Sequence, residues 1–441
     1  MNFDEALRYL LSLGHETVAI KLGLTNTERL LDALSQPQND FPSVQIAGTN
    51  GKGSTAVVLE RICRASGIKT GLYTSPHLIS ITERIRTGGL EITPPEFARL
   101  MTLVHDAARR LLEEGQLPAL PTFFEHVTAA ALVAFSEARV QLAILETGLG
   151  GRLDATTAAL ARTVAITPIA LDHQEYLGQT LPEIAAEKAA IIRPGVTAII
   201  APQPPLALEV ILRQCAEKMV APHLVDDQQV RVINADASGR LRITLKTGAD
   251  CYENVRVGLR GRHQLTNVAV AVTVAEALRA RGFQIPRAAI IEGIESAEHW
   301  GRLEMWEGRP SLLFDGAHNP AGAQALRAYL DEFVHVPITL IFGAMRDKAL
   351  DEIAATLFPA ASRLIFTEPH NPRAAPPEEI EHAVPPGIDS SRITLEPSTA
   401  HALRIAFVVT PTNGLILITG SLYLVGEIRR TLREQAARPF L

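Results

Sequence analysis

Cysteine is scarce in this sequence. Its 441 residues include only Cys63, Cys215 and Cys251, and no two of them form a CxxC pair. This usage does not fit a disulfide-stabilised scaffold and favours a reducing compartment. The first residues, MNFDEALRYL, are acidic and amphipathic, which does not fit a secretory signal peptide. We therefore expect a cytoplasmic protein.

Long apolar runs and an excess of positive charge are also missing. No run approaches the ~20 residues that span a bilayer. The 42 lysines and arginines are outnumbered by 48 acidic residues, which gives a net charge of −6. Such a chain is neither a membrane protein nor a general binder of nucleic acid. We expect a monomer whose partners are small molecules.

What the sequence does contain is an alternation of strand-like and helix-like segments. Apolar residues make up 47% of the chain, enough for the cores of two or three domains. Alternation of this kind is typical of parallel sheets built from βαβ units. The predicted strands are 43–48, 69–74, 140–147, 163–171 and 197–202 in the first half, and 311–316, 338–343, 363–368 and 414–420 in the second.

Two segments interrupt this alternation. Residues 229–259 contain short alternating runs separated by polar turns, which predict a small antiparallel insertion. Residues 296–311 carry two glycines and few helix signals, and we interpret them as a linker. The prediction is an α/β protein with two domains, a larger one over 1–298 and a smaller one over 299–441.

A glycine-rich loop joins the first predicted strand to the helix that follows it. Its sequence, IAGTNGKGST at 46–55, places Lys52 between two glycines. Backbone N–H groups at a helix start favour an anion, and glycine lets a phosphate approach closely. We predict that Lys52 lies against the β- and γ-phosphates of ATP and that Ser54 reaches a magnesium ion. The predicted triphosphate-binding residues are Thr49, Asn50, Gly51, Lys52, Gly53 and Ser54.

The loop departs from the strict P-loop pattern GxxxxGK[ST]. That pattern requires glycine at position 46 and a hydroxyl at 53, where this chain has Ile46 and Gly53. The hydroxyl follows one place later, at Ser54. An ordinary glycine-rich turn is the alternative interpretation of the loop taken alone.

The glycine-rich loop is one of ten blocks of the chain that have a recognisable pattern. In order, the blocks are GTNGKGS (48–54), YTSPHLISITERIR (73–86), TFFEHVTAAAL (122–132), LETGLGGRLDATT (145–157), LDHQEYLG (171–178), EKAAIIRPG (187–195), GRHQLTN (261–267), GRLE (301–304), FDGAHNPAG (314–322) and GSLYLVGEIR (420–429). Together they resemble the Mur ligase-like ATP-dependent amide ligases, and within them the folylpolyglutamate synthase / dihydrofolate synthase family. The resemblance extends from about residue 20 to about residue 430.

This resemblance implies an ATP- and Mg²⁺-dependent ligase. It also implies a P-loop-type parallel-sheet ATPase domain over 1–298 and a smaller Rossmann-like α/β domain over 299–441. A folate-type carboxylate would be phosphorylated, and the amine of L-glutamate would attack the acyl phosphate, releasing ADP and phosphate. Activation is needed because hydroxide is a poor leaving group. The family implies acceptors that are dihydropteroate, a reduced folate, or both, and we expect both.

The resemblance also implies two Mg²⁺ sites held by Ser54, Ser75, Glu146 and His173. Glu146 ends an apolar strand, at the edge of a parallel sheet where ligands bind, and its alternative is a capping or salt-bridged glutamate. A turn cap and a satisfied structural histidine are the alternatives for Ser75 and His173. Asp172 could support His173 but is not assigned.

Lys188 lies among apolar residues on a predicted helix. Without the family, it is a snorkelling lysine with its amine in water. The resemblance implies a lysine carbamylated by CO₂, which becomes an anion suited to a metal. The predicted catalytic residues are Lys52, Lys188 and His173.

The remaining site residues are implied by the resemblance as two groups. The acceptor residues are Ile20, Lys21, Leu22, Thr122, Phe124, Leu153, Asp154 and Ala155. The nucleotide residues beyond the loop are Asn267 at the adenine, Asp315 at the ribose with His318 nearby, and Arg302 at the phosphates when the domains close. Core packing, a helix cap and a surface ion pair are the alternatives for Phe124, Asp315 and Arg302. Lys348 is a candidate for glutamate binding.

Other functions stay open at this point. Another Mur-like ligase could add an amino acid to a cell-wall nucleotide, although TSPHL and DGAHNP favour the folate branch. A nucleotide switch is disfavoured because the chain has no NKxD motif. A non-catalytic relative would be expected to lose Lys52 or Glu146, and both are present.

Overall fold

A computed structural model describes residues 1–14 and 23–437 of the chain. The predicted acceptor residues Ile20, Lys21 and Leu22 lie outside these ranges. Within them the protein has two α/β domains, as predicted.

The larger domain is built on an eight-stranded sheet. Its strands are β1 (Ser43–Ala47), β2 (Thr70–Tyr73), β3 (Ile85–Thr87), β4 (Leu90–Glu91), β5 (Leu142–Glu146), β6 (Thr163–Ile166), β7 (Thr197–Ile200) and β8 (Pro222–Leu224). They lie in the order β4-β3-β2-β5-β1-β6-β7-β8. The six strands β2, β5, β1, β6, β7 and β8 are all parallel to their neighbours, which confirms the predicted parallel sheet. Strands β3 and β4 form an antiparallel edge that was not predicted.

Helices cover both faces of this sheet, so its central strands are buried throughout. In β1 and β5 every residue is buried, so neither strand has the exposed alternate positions of a sheet that is covered on one face only. The helices are α1 (Phe3–Ser12), α2 (Thr25–Ala33), α3 (Lys52–Ala65), α4 (Pro94–Glu113), α5 (Phe123–Glu137), α6 (Gln174–Leu177), α7 (Leu181–Ala189), α8 (Pro205–Glu217), α9 (Gln264–Ala280) and α10 (Arg287–Ser296).

The predicted antiparallel insertion is confirmed. It is a three-stranded sheet of β9 (Val230–Ala235), β10 (Arg240–Lys246) and β11 (Cys251–Arg260), in the order β11-β10-β9. Alternate residues of β10 are buried, as a sheet with one covered face requires. Ile243 and Leu245 join the core that contains α3, α9 and α10.

The smaller domain is a second, mostly parallel sheet with helices around it. Its strands are β12 (Glu304–Trp306), β13 (Ser311–Phe314), β14 (Ile338–Phe342), β15 (Arg363–Phe366), β16 (Ile393–Leu395) and β17 (Leu415–Thr419), in the order β12-β13-β17-β14-β15-β16. Its helices are α11 (Pro320–Phe333), α12 (Leu350–Leu357), α13 (Pro377–His382), α14 (Thr399–Val409) and α15 (Leu422–Ala437).

The interpretation of 296–311 as a linker is wrong in part. Strand β12 lies within it and pairs antiparallel with β13. Three residues are too few to show a strand period in the sequence, so the strand escaped prediction.

None of the helices within the described ranges has both the length and the apolar composition needed to cross a membrane.

Candidate active site

A cavity of about 480 Å³ lies between the two domains, where the carboxyl ends of β1, β5 and β6 meet the start of α11. Every predicted site residue within the described ranges lines it. These residues are Thr49, Asn50, Gly51, Lys52, Gly53, Ser54, Ser75, Thr122, Phe124, Glu146, Leu153, Asp154, Ala155, His173, Lys188, Asn267, Arg302, Asp315 and His318. The cavity also includes Lys348, the candidate for glutamate.

The glycine-rich loop turns from β1 into α3 at the floor of this cavity. Gly51 has a φ of +88° just before α3 begins at Lys52. A Cβ atom at Gly51 would lie 2.1 Å from Oδ1 of Asn267, so only glycine fits. Lys52 Nζ donates to the carbonyl oxygens of Gly48 and Thr49 at 3.1 and 3.3 Å, which holds the ammonium group over the loop.

Glu146 and Ser75 meet at the ends of β5 and β2. The backbone N–H of Ser75 donates to Glu146 Oε2 at 3.1 Å, and the glutamate side chain is buried. Burial raises the pKa of the Glu146 carboxyl, and the charge of Lys52 opposes this shift. Carboxylate and hydroxyl oxygens are the ligands that Mg²⁺ prefers, so Glu146, Ser75 and Ser54 fit that ion. Within residues 1–14 and 23–437, no three His, Cys, Asp or Glu side chains form a ready metal cluster.

His173 follows β6 and lies at the other side of the loop. Its Nδ1 is buried without a hydrogen-bond partner among the described residues. Burial lowers the pKa of His173 to about 3. The imidazole is therefore neutral near pH 7, the state in which a histidine binds a metal.

Asp172, which was left unassigned, lies at the centre of a charged cluster that joins the domains. Lys348 Nζ donates to Asp172 Oδ1 at 2.7 Å, and Asn319 Nδ2 donates to Oδ2 at 3.1 Å. His318 Nε2 lies 3.5 Å from Oδ2. Burial by itself would raise the pKa of Asp172, but the hydrogen bond with His318 and the charge of Lys348 hold it far below its usual range. The carboxylate is ionised at every ordinary pH.

Lys188 is buried in α7 and does not extend into solvent. The residue is 4% exposed, and Nζ donates to the carbonyl oxygen of Gly48 at 2.9 Å. The snorkelling interpretation is therefore wrong. Burial, with the charge of Lys52 added, lowers the pKa of Lys188 to about 7. A large fraction of the amine is neutral at pH 7.

The predicted acceptor residues line the part of the cavity near α5. Thr122 Oγ1 caps α5 by accepting from the backbone N–H of Glu125 at 3.3 Å. The Phe124 ring packs on Gly148, where a Cβ atom would lie 2.5 Å from it. Asp154 accepts from the backbone N–H groups of Gly148 and Leu149 at 2.8 and 3.0 Å, so its carboxylate shapes the turn after β5.

The C-terminal domain supplies the opposite wall. Asp315 accepts from the backbone N–H groups of Leu303 and Ala317, both at 2.9 Å. The cap of α11 is Asn319, so the helix-cap alternative for Asp315 is wrong. Arg302 Nη1 donates to the carbonyl of Gly316 at 3.3 Å, and His318 Nδ1 lies 2.8 Å from the same oxygen.

Sequence reasoning missed several residues of this cavity. In the block GRHQLTN only Asn267 was assigned, yet His263 and Gln264 also line the cavity, and Asn267 Nδ2 donates to Gln264 Oε1 at 2.9 Å. Asn319 does not line the cavity but donates to Asn50 and Asp172, which do, and it stood in the quoted block FDGAHNPAG without an assigned role. His299 carried no signal, since it lies in the segment interpreted as a linker. Burial, with the charge of Arg302 added, lowers the pKa of His299 to about 3.

Two family models match the chain. The Mur ligase middle domain matches residues 46–275, and the Mur ligase glutamate ligase domain matches residues 301–422. The dihydrofolate synthase/folylpolyglutamate synthase of Bacillus subtilis is 34% identical over 95% of this chain and 97% of its own length. A probable bifunctional folylpolyglutamate synthase/dihydropteroate synthase of Halobacterium salinarum is 35% identical, and the chain spans 51% of its length.

Solved structures agree with these relatives. Folylpolyglutamate synthase of Mycobacterium tuberculosis, complexed with ADP, superposes with a TM-score of 0.90 at 30% identity, over 97% of this chain and 98% of that chain. Escherichia coli FolC, in complex with DHPP and ADP, superposes with a TM-score of 0.85 at 29% identity, over 99% of both chains.

Proposed function

Because the chain belongs to the Mur ligase family, among the dihydrofolate synthases and folylpolyglutamate synthases, we propose that it joins L-glutamate to a folate-type carboxylate at the expense of ATP. The observation that carries this proposal is the shared cavity. The glycine-lysine loop, Glu146, His173 and Lys188 line it together with the acceptor residues around Thr122 and Phe124.

The reaction follows from what these groups can hold. An oxygen of the acceptor carboxylate attacks the γ-phosphorus of ATP, and ADP leaves. The amine of glutamate then attacks the acyl carbon, loses a proton, and phosphate leaves as the amide forms. Lys52 neutralises part of the triphosphate charge, and the backbone N–H groups at the start of α3 bind phosphate oxygens.

Two magnesium ions belong to this proposal. Ser54, Ser75 and Glu146 would hold one and His173 the other, and the ions would stabilise charge on the phosphate oxygens. The neutral state of His173 and the oxygen donors of the other three residues support this assignment. We place the nucleotide against Asn267, Arg302, Asp315 and His318.

A carbamylated Lys188 also belongs to the proposal. The neutral amine would add CO₂ and lose a proton, which replaces a cation with an anion that has two oxygens. The lowered pKa of Lys188 supports this step, because only the free amine can react.

Glutamate is proposed to bind on the C-terminal side of the cavity. The Lys348 side chain is 8% exposed and its Nζ lies 2.7 Å from Asp172 Oδ1, so the ammonium group is already positioned at the wall of the cleft. We also propose that both dihydropteroate and reduced folate are acceptors, and that the protein is a cytoplasmic monomer with domains at 1–298 and 299–441.

The test is a ligation assay with the purified chain. ATP, Mg²⁺ and L-glutamate are supplied with dihydropteroate or a reduced folate in turn, and ADP release and amide product are measured. We expect product with both acceptors. No product with either acceptor would overturn the proposal.

A cell-wall nucleotide acceptor serves as the control in the same assay. The relatives reported above are folate ligases by name, so we expect no reaction with it. Turnover with the cell-wall acceptor alone would assign the chain to the other branch of the family.

A further inference from the structure

His299 begins the interdomain segment, residues 299–304. Its side chain contacts the end of the glycine-rich loop at 46–55, which we call the phosphate loop. Its Nδ1 lies 3.1 Å from Oγ of Ser54, in the first turn of α3. A Cβ atom placed on Gly53 would lie 2.9 Å from Cε1 of His299 and 3.4 Å from Oε2 of Glu146. The imidazole, the Ser54 hydroxyl and the Glu146 carboxylate therefore meet around a glycine that leaves room for the ring.

The backbone around His299 is held firmly in place. The His299 carbonyl accepts from the N–H of Arg302 at 3.3 Å, and the N–H of Gly301 donates to Glu304 Oε2 at 2.7 Å. Oε1 of Glu304 accepts from Arg429 Nη2 at 3.0 Å. This segment is thus tied to α15 in the C-terminal domain while its histidine contacts α3.

The ring of Trp300 adds a second contact between the segment and α15. Arg86 and Arg429 lie 5.2 and 5.4 Å from its centroid, so cations from the two domains flank one aromatic ring. These contacts hold the backbone that carries His299, so the imidazole is presented to Ser54 from a fixed position.

The chemistry of a serine hydroxyl explains what such a contact does. The hydroxyl has one proton to donate and two lone pairs to offer. An imidazole nitrogen that accepts the proton turns the lone pairs toward the cavity, where a hard cation is best bound. Residues that orient a metal ligand in this way contribute strongly to affinity although they do not touch the metal.

We propose that His299 is a positioning residue that orients the Ser54 hydroxyl toward the magnesium–nucleotide complex and couples the interdomain segment to the phosphate loop. This inference rests on the proposed nucleotide site. It assigns His299 no contact with the substrate or with the reacting atoms.

The test is the magnesium dependence of ADP affinity, measured by isothermal titration calorimetry with Mg²⁺ and with EDTA. In His299→Ala we expect the gain in affinity from Mg²⁺ to fall about tenfold or more, with affinity in EDTA unchanged. His299→Asn, whose amide oxygen can accept near the position of Nδ1, should recover part of the gain. Glu298→Ala, an exposed neighbour in the same segment, should behave as wild type.

A double-mutant cycle then decides whether His299 acts through Ser54. If it does, Ser54→Ala with His299→Ala should lose no more than Ser54→Ala alone. Additive losses, or an equal loss of affinity with and without Mg²⁺, would overturn the inference, and thermal melting confirms that each variant is folded. A wild type that ligates glutamate while the cycle is additive would sink this inference alone. A wild type that binds ADP but ligates nothing would sink only the proposed reaction.

Discussion

Asn50 and Asn319 exchange hydrogen bonds across the cleft. Asn319 Nδ2 donates to Asn50 Oδ1 at 3.0 Å, and Asn50 Nδ2 donates to Asn319 Oδ1 at 3.4 Å. Asn319 also caps α11 through Gly322 N–H at 2.8 Å and donates to Asp172. One side chain thus joins the phosphate loop, the charged cluster and the first turn of a C-terminal helix.

Asn319→Ser should separate these roles. Serine is an equally good cap, so the start of α11 should be kept, but its short side chain does not reach Asn50 or Asp172. Three hydrogen bonds of roughly 1 kcal/mol each are lost at the wall of the cleft, so we expect the KM for ATP to rise about tenfold or more. Asn319→Ala is the matched control. It loses the same hydrogen bonds and also the helix cap, so its free energy of unfolding should be about 1 kcal/mol lower than that of the serine variant. An unchanged KM in the serine variant would contradict the bridging role.

Gly51→Ala should damage nucleotide binding specifically. The new Cβ atom would collide with Asn267, and the φ of +88° is strained for alanine. We expect ADP affinity to fall more than about tenfold, measured by calorimetry. Gly67→Ala, at the other end of α3, is the control, because its φ of +76° carries similar strain but the space around it is open. Equal ADP affinity in both variants would contradict the packing argument.

Glu146→Gln should remove nearly all turnover while the fold is retained. The amide has the shape of the acid, and burial already disfavours the charged carboxylate, so the melting temperature should not fall. Loss of a metal-binding oxygen charge predicts a kcat lowered by about a hundredfold or more, measured as ADP release. Normal activity would exclude Glu146 as a metal ligand.

Lys188 should make turnover depend on CO₂. Removal of dissolved CO₂ should slow the wild type and bicarbonate should restore it, while Lys188→Ala should be inactive with or without bicarbonate. Because the pKa of Lys188 is about 7, the protonated and unreactive amine predominates below that pH, so recovery should be slower at pH 6 than at pH 8. Undiminished ligation by Lys188→Ala in both media would disprove the carbamate.

His126 should make stability fall on mild acidification. It is fully buried, with Nε2 3.0 Å from the Tyr9 hydroxyl, and burial lowers its pKa from 6.5 to about 4. Between these values the unfolded chain takes up a proton that the folded chain excludes, so stability is lost as the pH falls through this window. At pH 5 the loss is roughly 2 kcal/mol.

Urea unfolding from pH 7 to pH 5 measures this contribution. His126→Gln cannot titrate, so its unfolding free energy should fall less steeply over that range, whatever its value at pH 7. Identical slopes for the variant and the wild type would show that His126 is not the group responsible.

Much of this fold could be predicted because most central strands are rich in apolar residues and end in a turn. β5 is buried on both faces, and its first four residues, LAIL, are all apolar, so its composition alone marks it as a buried strand. Strand β12 could not be predicted, because three residues show no period and its partner β13 follows a turn. The family resemblance pointed to Glu146 and Ser75, and both lie where the carboxyl ends of parallel strands converge on one edge of the sheet.

Contacts between the domains were not predictable from one sequence. Asp172 and Lys348 are 176 positions apart, and Ser54 and His299 are 245 positions apart. No periodic pattern in the sequence can reveal such pairs, because the two residues of each pair meet only where the two domains pack against each other. The family blocks indicated that His173 and Asp315 belong to the site. They could not indicate that Asp172 contacts Lys348, Asn319 and His318 across the cleft.

The segment from His299 to Glu304 restricts how hybrid enzymes could arise from two relatives. A recombination junction placed before the segment takes His299 and Ser54 from different parents. A junction placed after it does the same for Glu304 and Arg429. A hybrid therefore keeps both contacts only if its two parents carry the same residues at the contact that the junction divides. We expect hybrids of parents that differ at these positions to lose one of the two contacts.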